Sequence, residues 1–301
     1  MSDGKEIKLF PYVFDAVQAL EKCCGKVSSD SESATTCLPV AKSEVYNETW
    51  LLRLVLAFIH DLEFECEPQS KNEEVFQHIR KTVKTQWISE GGLSSVFELE
   101  GATWTDAILG NVELSCLNSS SCAKSDKKTK RAIKLSGQDN VGVVIIEAKV
   151  GSDLDTGVTH ADDYNQVARN IACLARLVMD KEGLASKSRF VVFAPQCKID
   201  KWVETKWIDE AKTIIQNQTQ ERDSKEKGGG KNKPRSFRDL NNESDFLDAI
   251  EAIAGNSIML SWKWILSFIK RHPHDQNGFE LLEKYYNATI DLYKINESEK
   301  V

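Results

Sequence analysis

The chain is predicted to be an α/β protein, a central sheet wrapped by helices from both ends. Three observations predict this. The run Val141-Gly142-Val143-Val144-Ile145-Ile146 is β-branched and apolar, as in a strand buried on both faces. A segment of helical period follows from Asp162 to Asp180, with Tyr164, Val167, Ala168, Ile171, Ala175 and Val178 on its apolar side. A second apolar strand, Arg189-Phe190-Val191-Val192-Phe193-Ala194, then stops at Pro195. Strand, helix, strand in that order is the pattern of a crossover unit.

The remaining elements are read in chain order. Residues 9–66 are predicted to be helical, because Val13, Val17 and Leu20, then Trp50, Leu51, Leu54, Val55, Phe58, Ile59 and Leu62 recur at helical spacing. Asn47 is a candidate cap, and the polar stretch from Val27 to Thr36 a loop. A further helix is predicted from Glu73 to Trp87, with Val75, Ile79 and Val83 on one side and Gly91-Gly92 ending it. Ser95–Leu99 and Trp104–Leu109 read as strands. Beyond Pro195, helices are predicted over Asp200–Gln220, Glu243–Ala254, Trp262–Arg271 and Gly278–Asn296, with a Gly-Lys loop from Glu226 to Pro234. No internal repeat is present. The expected organisation is a helical region over 1–72, a core over 73–199 with an insertion near 115–140, and a helical region over 200–301 carrying a flexible basic loop near 221–240.

Composition narrows the function classes. The chain has 301 residues, with 41% hydrophobic and 28% charged, the balance of an ordinary globular protein rather than a disordered, collagenous or coiled-coil one. Its most apolar stretch, Trp50–Ile59, carries Arg53 and falls short of the about 20 residues that span a bilayer, so no membrane helix is expected. Met1–Lys8 has mixed charge and no secretory pattern, and a cytoplasmic location is expected. None of the eight cysteines is spaced Cys-x-x-Cys and the five histidines do not pair usefully with them, so reduced thiols and no zinc are expected. With 39 basic against 46 acidic residues the net charge is −7, which argues against a surface that grips phosphate backbones everywhere. Two local clusters are basic. One comprises Lys124, Lys127, Lys128, Lys130, Arg131 and Lys134, the other Lys227, Lys231, Lys233, Arg235 and Arg238. Each taken alone reads as a solvated loop.

The strongest chemical signal is the end of the buried strand. Ile145-Ile146-Glu147-Ala148-Lys149 places a carboxylate and an ammonium two positions apart, and strand alternation puts both on one face. Opposite charges at the tip of a core strand need a reason, because burying them unpaired is costly. The strand of Thr105-Asp106, if it pairs beside this one, brings Asp106 close to Glu147. Two carboxylates and a lysine at one spot make a hard-metal site, whose oxygens hold Mg²⁺ and leave positions for water and a phosphate.

With these residues the chain resembles the PD-(D/E)XK nuclease superfamily, and within it a poorly characterised bacterial group. Asp106 matches the aspartate of the hairpin motif and Glu147-Ala148-Lys149 the Glu-x-Lys. The helix from Asp162 carries Gln166 and Arg169 where many members have a polar residue, and Arg189–Ala194 matches the closing strand. Thr105 stands in place of the family's proline, and Glu147 follows Asp106 by 41 residues, longer than the usual hairpin. The Ser- and Lys-rich segment from Ser119 to Gln138 is read as an insertion at the hairpin tip. The resemblance covers residues 73 to 195, well under half of the chain.

The resemblance implies a restriction-endonuclease-like core, a central mixed sheet flanked by helices, with helical N- and C-terminal extensions. It implies phosphodiester hydrolysis with Mg²⁺, for which Mn²⁺ can substitute, held by Asp106 and Glu147. Lys149 would orient or deprotonate the water or stabilise the developing charge. An acid from the first helix often completes such sites; Glu90, Glu74 and Glu48 are the candidates, and Glu90, nearest the hairpin, is favoured. Gln166 and Arg169 share a helical face and could touch the water or a phosphate. His160, Lys127, Lys128, Lys130 and Arg131 are nucleic-acid-binding candidates. DNA is the expected partner in preference to RNA, with restriction, phage defence or repair as the setting and a homodimer or a partner protein as further expectations.

Each residue also has a plainer reading. The Asp and Glu-x-Lys pattern, taken without the family, describes an exposed ion pair at a strand end. Gln166 reads as a surface or capping residue, Arg169 as a partner of Asp162, Asp163 or Glu147, and His160 as a solvated loop histidine. The seven tryptophans read as core rather than base-stacking platforms. At the level of function the alternatives are an inactive nuclease-fold scaffold and a phosphodiesterase acting on something other than nucleic acid.

Overall fold

The computed structural model describes residues 8–23, 42–63, 67–93, 103–116, 131–136, 141–154, 165–225, 243–272 and 275–301. The chain opens with helices α1 (Phe10–Cys23), α2 (Lys42–Val45), α3 (Glu48–Asp61) and α4 (Lys71–Val83). Asn47 caps α3 by accepting from the Trp50 amide, and Ser70 caps α4 by accepting from that of Glu73, which supplies partners for helix-start amides that have none inside the helix. Strands β1 (Trp87–Leu93), β2 (Thr103–Leu109), β3 (Val112–Cys116), β4 (Arg131–Leu135) and β5 (Val144–Ala148) follow, then α5 (Gln166–Val178) and β6 (Arg189–Ala194). The chain closes with α6 (Gln196–Glu204), α7 (Trp207–Lys225), α8 (Glu243–Asn256), β7 (Ile258–Ser261), α9 (Trp262–Arg271) and α10 (Gln276–Leu292).

Five strands form one mixed sheet in the order β1-β2-β5-β6-β7, antiparallel from β1 to β5 and parallel from β5 to β7. Alternation along the strands divides the core. Ala107, Leu109, Val144, Ile146, Val191 and Phe193 face the layer of α1, α3, α4, α9 and α10, while Ile108, Val143, Ile145, Phe190 and Val192 face α5 to α8. Each fully buried aliphatic contributes roughly 1.5–3 kcal/mol, so a sheet covered on both faces is held mainly from its centre. No helix of the described residues is long and apolar enough to cross a membrane.

Four sequence expectations are corrected. The helix predicted over Glu73–Trp87 stops at Val83, and Trp87–Leu93 is a strand: Trp87 pairs with Leu109 and Gly91-Gly92 lie opposite Thr105 and Trp104 instead of capping a helix. Strand-pairing bonds available from β2 outweigh a local helical period. The single helix over Asp200–Gln220 is two, α6 and α7, broken where Lys206 takes a φ of 52°. The 41-residue gap is not a plain tip loop, because β3 and β4 pair with each other in a separate two-stranded sheet starting just after β2. The C-terminal region is not wholly helical: β7 adds a parallel strand to the sheet beside β6. The predicted strand Ser95–Leu99 and the loops at Val27–Thr36 and Glu226–Pro234 lie outside the described residues.

Candidate functional site

The site is built where β2 and β5 part. Their ladder pairs Leu109 with Val144, Ile108 with Ile145 and Ala107 with Ile146. One step further the next amide of β5, that of Ala148, donates to Asp106 Oδ2 at 2.7 Å in place of a strand carbonyl. Asp106 thus sits across from Glu147, and the two carboxyls lie within hydrogen-bonding reach of each other. Lys149 Nζ reaches Glu147 Oε1 at 2.9 Å, as expected for residues two apart on one strand face.

Helix α5 closes over this pair. Its N-cap, Asn165, accepts from the Ala168 amide, which points the first turn at the end of β5. Gln166 Nε2 donates to Glu147 Oε1 at 2.5 Å, and Asn170, one turn on, presents Nδ2 to Glu147 Oε2 at 3.4 Å. Two amide oxygens beside the carboxylates, Gln166 Oε1 and Asn170 Oδ1, are buried without a hydrogen-bonding partner. Asn170 was not singled out in the sequence; its signal is the spacing of four from Gln166, which puts it on the same helical face. Arg169 is half-buried on α5.

The loop after β5 is fastened by four elements. The Lys149 amide donates to Phe193 O on β6, and Trp262 Nε1 donates to Lys149 O at 2.8 Å. Glu48, the first residue of α3, accepts from the amides of Val150, Gly151 and Ser152 at 2.8, 3.0 and 3.1 Å, and from the Ser152 hydroxyl. Lys198 on α6 donates to the carbonyls of Gly151 and Ser152 and to Asp153. A Cβ at Gly151 would run into the Tyr293 ring, so glycine lets the loop lie against it.

Burial sets the electrostatics. Glu147 is 2% exposed, and burial pushes its carboxyl up to about 8, with the charge of Asp106 adding to the rise and Lys149 opposing it. Burial also holds Asp106 above the usual carboxylate range, against the Ala148 amide and Lys149. For Lys149 burial works to lower the affinity for its proton, but Glu147, Glu48 and Asp106 outweigh it and the ammonium is held above its ordinary value. Carboxyls that hold their protons more tightly beside an ammonium reduce the charge that must be buried.

Of the three candidate glutamates, Glu48 is the one whose charge bears on Asp106 and Lys149. Glu90, favoured from the sequence, sits on β1 at a φ of 56°, is 58% exposed and pairs with Arg53 Nη2 at 3.2 Å. Glu74 faces Arg189 at 3.9 Å, at the start of β6 and the other end of that strand from the site. Glu48 meets the loop after β5 because α3 begins there. Arg131 begins β4 and pairs with Cys116. His160, Lys127, Lys128 and Lys130 lie outside the described residues. Among the described residues no group of three or more His, Cys, Asp or Glu side chains is gathered to hold a metal ion.

Compared with family models, curated proteins and solved structures, the chain matches none.

Proposed function

We propose that this chain is a Mg²⁺-dependent nuclease with a PD-(D/E)XK core, hydrolysing phosphodiesters of DNA in preference to RNA. The observation that carries the reading is the direct pairing of β2 with β5, which sets Asp106 against Glu147 with Lys149 2.9 Å from the latter. The order of elements supports it: α4, the β1–β2 hairpin with Asp106, β5 with Glu147 and Lys149, α5, then β6. Restriction, phage defence or repair are settings that suit such an activity.

Mg²⁺ suits the donors present. Asp106 and Glu147 offer hard carboxylate oxygens that repel each other, and Gln166 Oε1 and Asn170 Oδ1 are buried oxygens in need of a partner. The ion, when bound, supplies Lewis acidity at the phosphate and an acidified water. The protein does the rest. Lys149 remains an ammonium at neutral pH, so its part is to stabilise charge developing on the phosphate oxygens rather than to take a proton. Gln166 and Asn170 fix the Glu147 rotamer through its two oxygens. The loop fastened by Glu48, Lys198 and Trp262 keeps the backbone beyond Lys149 from moving under load.

The second reading, a nuclease-fold scaffold without activity, is favoured by one observation: Lys149 is locked onto Glu147 and no third acidic ligand joins the pair among the described residues. Incubation of supercoiled plasmid, single-stranded DNA and RNA with Mg²⁺, Mn²⁺ or EDTA separates the two. Metal-dependent cutting by the wild type, lost in well-folded Asp106→Ala and Lys149→Ala, is the expected result. No cutting of any substrate, with equal metal binding by wild type and Asp106→Ala, would leave the scaffold.

A further inference from the structure

Six of the seven tryptophans are buried or half-buried, as expected for core residues; Trp104, at 61% exposure, is the exception. It lies on β2 two residues before Asp106 and on the same face, shown by the alternating burial along that strand. Exposure on this face rises in order: Ile108 is fully buried, Asp106 half-buried and Trp104 open. The face therefore leads from the core, through the carboxylate pair, to solvent across the indole. Opposite Trp104 on β1 stands Gly92, so on that strand no side chain lies directly across from the ring.

We propose that Trp104 is a stacking platform for an unpaired nucleobase next to the scissile phosphate, and that the substrate strand is single or locally opened. The inference rests on the nuclease reading of Asp106 and Glu147. Two strand residues span about 6.6 Å, which places the stacked base within a nucleotide or two of the metal-binding end. In an intact duplex both faces of a base are taken by its neighbours, so an indole here selects an unstacked one. A chain of net charge −7 has little long-range attraction for a polyanion. Stacking supplies affinity that does not depend on net positive charge and tolerates any base, since every base has a π face.

The test uses the full chain with Ca²⁺ in place of Mg²⁺ and labelled oligothymidylate, oligouridylate and a duplex, read by fluorescence anisotropy. Trp104→Ala should weaken single-strand binding by about 10- to 100-fold, the usual range for one stacked base. Trp104→Phe should stay within about threefold of wild type, duplex binding should be weak and unchanged, and melting temperatures should match because the ring is exposed. The two single strands report whether DNA or RNA is preferred. Wild-type affinity for single strands that is undetectable, or that Trp104→Ala changes less than twofold, would overturn the proposal. Plasmid cleavage separates its failure from that of the nuclease reading. Cutting lost in Asp106→Ala but with strand binding indifferent to Trp104 sinks the stacking role alone. Trp104-dependent binding with no cutting by wild type leaves the platform and removes the chemistry.

Discussion

Replacing Glu147 by glutamine should flatten the pH dependence of folding stability. Glu147 is buried against Asp106, and its folded-state proton affinity is raised from 4.5 to about 8. A carboxyl that holds its proton more tightly when folded contributes stability that is complete below about pH 4.5 and is lost as pH climbs towards 8. At about 1.4 kcal/mol per tenfold change in proton affinity, the rise corresponds to a ceiling of about 5 kcal/mol. That is comparable to the whole stability of a small domain, ~5–15 kcal/mol, so the slope is measurable. The assay is equilibrium urea unfolding in EDTA between pH 5 and 9, with wild type and Glu147→Gln compared at each pH. Wild type should weaken by several kcal/mol more than the variant across this window, and Mg²⁺ at pH 8 should restore wild type and leave Glu147→Gln unmoved. Subtraction removes titrations common to both proteins. Parallel profiles would refute the argument, showing that Glu147 ionises without cost and that burial and Asp106 do not bear on it.

Two further outcomes follow from the same physics. Glu48→Ala strips an acceptor from three amides and a hydroxyl after β5 and should cost about 1–3 kcal/mol in urea unfolding, while Glu48→Gln, which keeps an acceptor oxygen, should recover part of it; a Glu48→Ala variant as stable as wild type would show that the carboxylate is not what ties the loop. His78, on α4, has its proton affinity lowered to about 4 by burial and by Arg189 and Lys81, and its Nε2 has no hydrogen-bonding partner. Its contribution is present above the unfolded value of 6.5 and lost as pH falls towards 4, up to about 3 kcal/mol. Between pH 7 and pH 4.5 the stability of His78→Leu relative to wild type should rise by about 2 kcal/mol, the titration of Glu147 being common to both and cancelling in the difference; the same difference at both pH values would remove His78 as an acid-sensitive group.

Much of this molecule was legible in one dimension, and the reason is local. Strand β6 and helix α9 match their predicted bounds residue for residue: Pro195 ends the apolar run of the strand, and in the structure Ser261 accepts from the Trp264 amide at the start of the helix. The side-by-side placement of Glu147 and Lys149 needs only the period of two in a strand, and their 2.9 Å contact expresses it. What tertiary structure decided are the partnerships between distant segments. Trp87–Leu93 is a strand because β2 accepts it. Ile258–Ser261 is too short to announce itself and becomes β7 only beside β6. Glu48 is about a hundred residues from the amides it binds, while Glu90, nearer the hairpin in sequence, turns to Arg53. Trp104 is indistinguishable in composition from six tryptophans that enter the core, yet it lies exposed on β2 with a glycine across from it on β1. Local sequence carries period, caps and charge, whereas the identity of a neighbour across space depends on where the rest of the chain has gone.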